Sequence, residues 1–255
     1  MSSVSISLGE VAAALALVAV AAVVSFWRRA ELETDLGIAV LRSFVQLTAV
    51  GYVIQAIFDS DSLWLVAALL AGMVAFGAFT ARGRAKAVPG ALGPIALALS
   101  LAAVATLGLV LALGVFDAEP RYLVPVGGMV IGNSMTAAAV ALNRLADEVD
   151  SGRARIEAVL ALGASSRQAA RGLVTRSLRS GMIPLIDSTK TTGVVFFPGT
   201  MVGMLIAGAE PIDAVRLQLI LLWVLLGSVS LAALVSVSLA YRGFFTPAHQ
   251  LREPA

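Results

Sequence analysis

The chain alternates long apolar runs with short polar joints, and the runs match a bilayer core, which ~20 residues of helix can span. Seven runs are predicted as membrane helices: 8–27, 38–58, 63–80, 91–115, 122–142, 193–209 and 217–241. The first sits where a signal peptide would. Glu10 is among its leading residues, no Lys or Arg precedes it, and Trp27-Arg28-Arg29 follows in place of a small-residue cleavage site. It is expected to be retained as a helix. The pattern breaks at length only between Leu142 and Gly193, where the chain is studded with arginine.

Composition narrows the class. The 255 residues are 59% hydrophobic and 13% charged, more apolar surface than a soluble domain of this size can hide. The predicted fold is all-α: a polytopic membrane protein of about seven helices with one cytoplasmic helical segment. Cysteine is absent and the single histidine is His249, which excludes disulfides, thiolate chemistry and ordinary Cys/His metal sites. The basic balance does not point to nucleic acid, because the arginines flank membrane spans, where they set orientation.

Charge fixes the direction. Arg28, Arg29, Arg82, Arg84, Lys86, Arg144, Arg153, Arg155, Arg167, Arg171, Arg176, Arg179, Lys190, Arg242 and Arg252 fall on one side of this topology. Only Arg121 and Arg216 fall on the other, with Asp59, Asp61, Asp117, Glu119, Glu210 and Asp213, while Arg42 lies inside the second span. Lys and Arg stay cytoplasmic, so the N-terminus is expected outside and the C-terminus inside. The joints around Asp59, Arg84, Glu119 and Asp213 are too short for domains. The tail with Pro247 and Pro254 is expected to be disordered. The chain reads as a single membrane domain over 1–255, with 143–192 as a cytoplasmic coupling and interfacial segment. No Gly-x-x-x-x-Gly-Lys-Ser/Thr loop is present, so any ATP that drives the protein is bound by another chain.

Within the cytoplasmic segment a helix is predicted over 147–162, starting near Asp150 or Ser151. Ile156, Val159, Leu160 and Leu162 give it a small apolar face. Gly163 is placed to stop it, and Ser165 or Ser166 to cap a second helix through Gln168 and Arg171. From Leu173 to Ile186 the pattern predicts an amphipathic helix at the membrane interface, kinked or ended by Pro184.

Glu157-Ala158, followed at the sixth position by Gly163, is similar to the Glu-Ala-Ala…Gly loop of ABC-transporter permeases, with Val159 in place of the second alanine. Further strings resemble the FetB-type ABC permease family. They are Gly128-Met129-Val130-Ile131-Gly132-Asn133-Ser134-Met135 and Leu162-Gly163-Ala164-Ser165. Ile183-Pro184-Leu185-Ile186-Asp187-Ser188-Thr189-Lys190-Thr191-Thr192-Gly193 and Pro198-Gly199-Thr200-Met201-Val202-Gly203 with Ala207-Gly208 complete the match. The family includes plant aluminium-tolerance permeases. The resemblance implies a multi-pass permease of the bacterial cytoplasmic (inner) membrane that exports iron or another metal. It implies a homodimer associated with separate cytoplasmic ATPase subunits. ATP and Mg are then held by the partner, and this chain carries neither cofactor nor catalysis. It also implies that Glu157, Ala158, Leu160, Leu162, Gly163, Ala164 and Ser165 form the ATPase-coupling hook.

Polar groups inside lipid are costly and mark candidate transport residues. Arg42 and Gln46 lie one turn apart on the second span, where Arg42 either snorkels to the headgroups or lines a path. Asn133 either ties helices together or lines the path. Asp187 and Lys190, three apart, are expected to pair at the cytoplasmic mouth as a gate or cation entry, or as a structural ion pair. Gly128, Gly132, Gly199 and Gly203 predict close packing of the fifth and sixth spans on each other or across a dimer. Met129, Met135, Met201 and Met204 lie on the same spans, as core packing or as weak soft ligands. Two other readings remain: a secondary transporter or channel without an ATPase, and an ABC permease for an organic substrate such as a nucleotide sugar. Secondary transporters show internal repeats or broken helices, and no internal repeat is visible here. An intramembrane enzyme is excluded for want of a catalytic set.

Overall fold

The computed structural model describes residues 8–253. They form nine α-helices: α1 (Leu8–Arg28), α2 (Glu33–Ser60), α3 (Leu63–Arg84), α4 (Leu92–Ala112), α5 (Pro120–Ser151), α6 (Arg153–Ala161), α7 (Ser166–Thr191), α8 (Gly199–Ile206) and α9 (Pro211–Ala240). A 3-10 turn, Tyr241–Phe244, follows α9. Of the described helices, α1 to α5 and α9 are long and apolar enough to cross a membrane. Five predicted spans therefore stand where the apolar pattern put them, and the last runs through α9.

The bundle consists of α3, α4, α5, α7 and α9. Small side chains let these helices approach closely: Ala98 and Ala102 of α4, Ala138 and Ala141 of α5, and Ala232 and Ala233 of α9 are fully buried. Buried hydroxyls on α9 are satisfied within their own helix, Ser228 donating to the Leu225 carbonyl and Ser236 to that of Ala233. The α1–α2 hairpin stands beside this bundle. It is joined to it through Ile57, which packs with Val66 of α3 and Val124 of α5.

The direction of α9 decides the topology. Val126 and Val130 of α5 share a cluster with Leu221 and Leu225 of α9, while Leu142 and Leu145 share another with Val237 and Ala240. Thus α5 and α9 run the same way, and the chain between them must return across the membrane. The run at 193–209, predicted as the sixth span, is not a helix of that length. It divides into an irregular turn, closed by Gly193 N–H donating to the Phe196 carbonyl, and the eight-residue α8. Gly193 at φ +85 starts the turn, and glycine adopts that left-handed conformation without a Cβ clash. The inner half of the return is carried instead by α7, which ends at Thr191, and the turn and α8 complete it to the start of α9.

This replaces the expected interfacial helix. The stretch from Leu173 to Ile186 lies inside α7, which packs antiparallel along α5, and Pro184 does not end it. The helix predicted over 147–162 also resolves differently: α5 continues to Ser151, Gly152 interrupts, and α6 follows. Local signals held. Gly163 takes φ +87 after α6, and Ser165 caps α7 in a box with Gln168. The tail folds back, with Phe245 buried, a bridge from Phe245 to Leu251, and His249 Nδ1 2.9 Å from the Ser166 hydroxyl. Its expected disorder is not what the described residues show; Pro254 lies outside them.

Candidate functional site

The register of α7 on α5 places the site. At Gly181 a Cβ would stand 2.8 Å from the Ala137 carbonyl oxygen and 2.8 Å from the Ala141 Cβ, so only glycine permits this approach. One turn on, Pro184, Leu185 and Ser188 face Asn133, Thr136 and Val140 across a cavity of about 150 Å³. Asn133 donates to the Met129 carbonyl at 2.8 Å and Thr136 to that of Gly132 at 3.2 Å, so both side chains stay on the open face of α5.

The same register sets Asp187 and Lys190 opposite the stretch of α5 between Met129 and Asn133. That is the middle of the crossing, roughly 15 Å from either surface by helical rise. Their ion pair has formed, with Lys190 Nζ 3.6 Å from Asp187 Oδ1. The side chains are 64% and 70% exposed on the bundle. The expected place at the cytoplasmic mouth is therefore corrected. α7 itself enters the membrane and ends near its middle at Thr191, so these residues lie deeper, and Lys190 leaves the cytoplasmic tally. A charged pair on an uncovered face at this depth requires water or protein beside it, because lipid would leave both charges unsolvated.

The other candidates scatter. Arg42 sits over the Phe76 ring at 5.8 Å on the α2–α3 side, and Arg42 and Gln46 do not reach the Asn133 cavity. Met135 packs against the inner cluster and Met129 against the outer one, while Met201 is buried on α8 and Met204 is half-buried. Gly132, Gly199 and Gly203 have nothing within 4 Å of a built Cβ, and Gly128 meets only the thioether of Met73. Packing of the fifth and sixth spans on each other through these glycines is thus not what the chain does, because α8 does not approach α5 at them. Packing across a dimer is the alternative left. Among the described residues no three His, Cys, Asp or Glu side chains converge on one point.

At the basic end α6 and its C-cap expose Ala154, Arg155, Glu157, Ala158, Ala161 and Leu162. Ile156 is buried and Leu160 half-buried in the chain's own inner cluster, whereas Leu162 is 89% exposed. Of the four apolar residues that the pattern predicts as a face, Leu162 is the exposed one, Val159 and Leu160 are half-buried and Ile156 is buried. Glu157 is held by Arg153 at 3.1 Å.

One residue at the base of this hook was not singled out from the sequence. Glu148, buried on the cytoplasmic extension of α5 beyond Leu142, takes Arg176 of α7 at 2.7 Å and also pairs with Arg144. Burial pushes the carboxyl up, but the hydrogen bond and charge of Arg176, then Arg144, outweigh it and hold it below the usual carboxylate range. The Arg144-x-x-x-Glu148 spacing was the available signal.

The model of a family described as "Uncharacterised protein family (UPF0014)" matches residues 8–245. "UPF0014 membrane protein STAR2" of Oryza sativa subsp. japonica is 39% identical over 94% of this chain and 85% of its own length. "Protein ALUMINUM SENSITIVE 3" of Arabidopsis thaliana is 37% identical over 94% and 88%. "Probable iron export permease protein FetB" of Escherichia coli (strain K12) is 34% identical over 98% and 97%. No solved structure matches significantly.

Proposed function

The chain belongs to the UPF0014 family of membrane proteins, and from that premise we propose that it is the permease subunit of an ATP-driven transporter. The observation that carries the proposal is the helix α7. It starts against the exposed hook of α6 and delivers the Asp187–Lys190 pair to mid-membrane beside the Asn133 cavity. One rigid element thus spans from a cytoplasmic docking surface to the polar groups inside the membrane. A soluble ATPase that moved the hook would move those groups with it.

The open face shared by α5 and α7 needs a cover, and a second copy supplies one while leaving a polar seam between the subunits. Gly132 and the glycines of α8 are free to join such a contact. In this reading Asn133, Thr136, Ser188, Asp187 and Lys190 line the path of the cargo. The oxygen ligands are carboxylate, amide and hydroxyl, which suit a hard cation passing weakly. An iron cargo is supported by the name of the E. coli relative, and the bacterial cytoplasmic membrane is the matching location. ATP and Mg belong to the separate ATPase chain, and this subunit does no catalysis.

The test is ATP-driven flux in vesicles holding this chain and its ATPase, with Fe2+ compared against other divalent metals and an organic anion. Flux of Fe2+ that stops with Asp187→Asn supports the whole reading. ATP-dependent flux of an organic solute alone would keep the permease and remove the metal. Flux without any ATP-binding partner would sink the coupling and favour a secondary transporter, for which the irregular turn at 192–198 is the one structural argument.

A further inference from the structure

A polar cavity at the cytoplasmic end lies away from α6. It holds about 620 Å³ and is walled by the first turns of α7 and the end of α9. Arg167 and Arg171 of α7 and Arg242 beyond α9 converge on it, together with Ser238 and Tyr241. The fold supplies carboxylates elsewhere at this end: Glu148 takes Arg144 and Arg176, and Glu157 takes Arg153. Among the described residues none of Arg167, Arg171 and Arg242 has an acidic partner. The Ser238 and Tyr241 hydroxyls make no hydrogen bond among them either.

Setting orientation does not require this arrangement. Arg167 and Arg171 are four apart, so they stand over one another on one helix face, where like charges repel. A third guanidinium arriving from another helix adds to that cost. The cavity is rich in donors and poor in acceptors, which is the signature of a missing anion.

Its height selects the anion. Ser238 directly follows Val237, which packs in the same cluster as Leu142 at the inner end of the α5 crossing. Arg171 lies two residues before Leu173, packed with Leu145 and Val149. The cavity therefore spans the first turns beyond the hydrocarbon core, at the level of the headgroups, and Tyr241 stands where interfacial aromatics do. We propose that Arg167, Arg171 and Arg242 bind the phosphate of an anionic phospholipid from the cytoplasmic leaflet, with Ser238 and Tyr241 as hydroxyl donors. This site is independent of the cargo path. A bound headgroup would tie the base of α7 to the end of α9.

The experiment uses the purified, delipidated full chain in detergent. It is titrated with phosphatidylglycerol, with phosphatidylcholine of the same acyl chains, and with inorganic phosphate. Thermal shift and lipid retention in native mass spectrometry are read together. Phosphatidylglycerol is expected to raise the melting temperature and to remain bound, while the other two do neither. Arg171→Gln and Arg242→Gln should each weaken its apparent affinity roughly fivefold, the equivalent of about 1 kcal/mol per basic residue near a membrane surface. Arg171→Lys should lose part of the effect, since it keeps the charge without the fork. If Arg171→Gln does not purify, lipid retention by Arg242→Gln alone decides. Equal binding of phosphatidylcholine, or unchanged phosphatidylglycerol affinity in the variants, overturns the proposal. So does inorganic phosphate reproducing the full shift, which would assign the cavity to a soluble anion.

Discussion

Gly181 of α7 lies so close to Ala137 of α5 that an added Cβ would stand 2.8 Å from the Ala137 carbonyl oxygen. This one contact sets the register between the two helices. It thereby sets the depth of every polar group on α7, from Arg176 at the cytoplasmic end to Lys190 in the membrane.

Substitution at Gly181 should therefore act on both stability and transport. Gly181→Ala must push a backbone carbonyl and Ala141 aside and is expected to cost about 1–3 kcal/mol, as overpacking does. Gly181→Leu should be worse. Thermal unfolding in detergent reads the first effect and vesicle flux the second. A neutral Gly181→Ala would mean that α7 does not pack against α5 at this height.

The depth of the Asp187–Lys190 pair can be read directly, because the chain has no cysteine to confuse labelling. Asp187→Cys and Lys190→Cys should react with a charged, membrane-impermeant thiol reagent, whereas Leu219→Cys on the exposed surface of α9 should not. Reversing either charge alone should abolish flux, and exchanging both should restore part of it. Labelling as fast as at Arg179→Cys, and only from the cytoplasmic side, would return the pair to the cytoplasmic mouth.

The two leucines of the hook should separate. Leu160→Ala removes a half-buried side chain from the inner cluster and should lower stability by about 1–3 kcal/mol, less than for a fully buried leucine. Leu162→Glu touches nothing within the chain and should leave the melting temperature unchanged while weakening ATPase association in a pull-down. The opposite pattern would make Leu160 the docking group.

Glu148 gives a pH signature. Its folded carboxyl is held below the usual range, so it contributes stability above that range, and the contribution is lost as pH falls through the folded value. Glu148→Gln should destabilise by about 1–2 kcal/mol near neutrality, a figure reduced because both arginines are half-exposed. The difference in melting temperature between the two proteins should shrink as the buffer is taken below the ordinary carboxylate range. A difference that stays constant with pH would mean that the charge is not what matters.

Local signals were legible because they act within a few residues. Apolar runs as long as a bilayer is thick located the first five spans, and the charge bias gave them a direction. Gly163 and Ser165 marked the end of α6 and the start of α7, since a left-handed stop and a hydroxyl cap depend only on the adjoining turn. The sixth crossing was missed for a reason of the same kind. Hydropathy prices each segment as though it met lipid alone, which favoured 193–209 over the arginine-bearing α7. In the fold α7 packs along α5 at Gly181, Arg176 pairs with Glu148 and Lys190 with Asp187, none of which a segment-by-segment hydropathy counts. The glycines and Pro198 of the apolar run instead leave it an irregular turn and eight helical residues.

By itself, then, the sequence determined a multi-span helical membrane protein with one basic face and a capped hook, because burial in lipid, charge bias and helix caps are read residue by residue. Only the tertiary structure decided that α7 enters the membrane, that Asp187 and Lys190 lie at mid-membrane, and that Leu162, just past α6, is the exposed leucine of the hook. Each of those depends on the register between α5 and α7, which is set by packing between residues far apart in the chain.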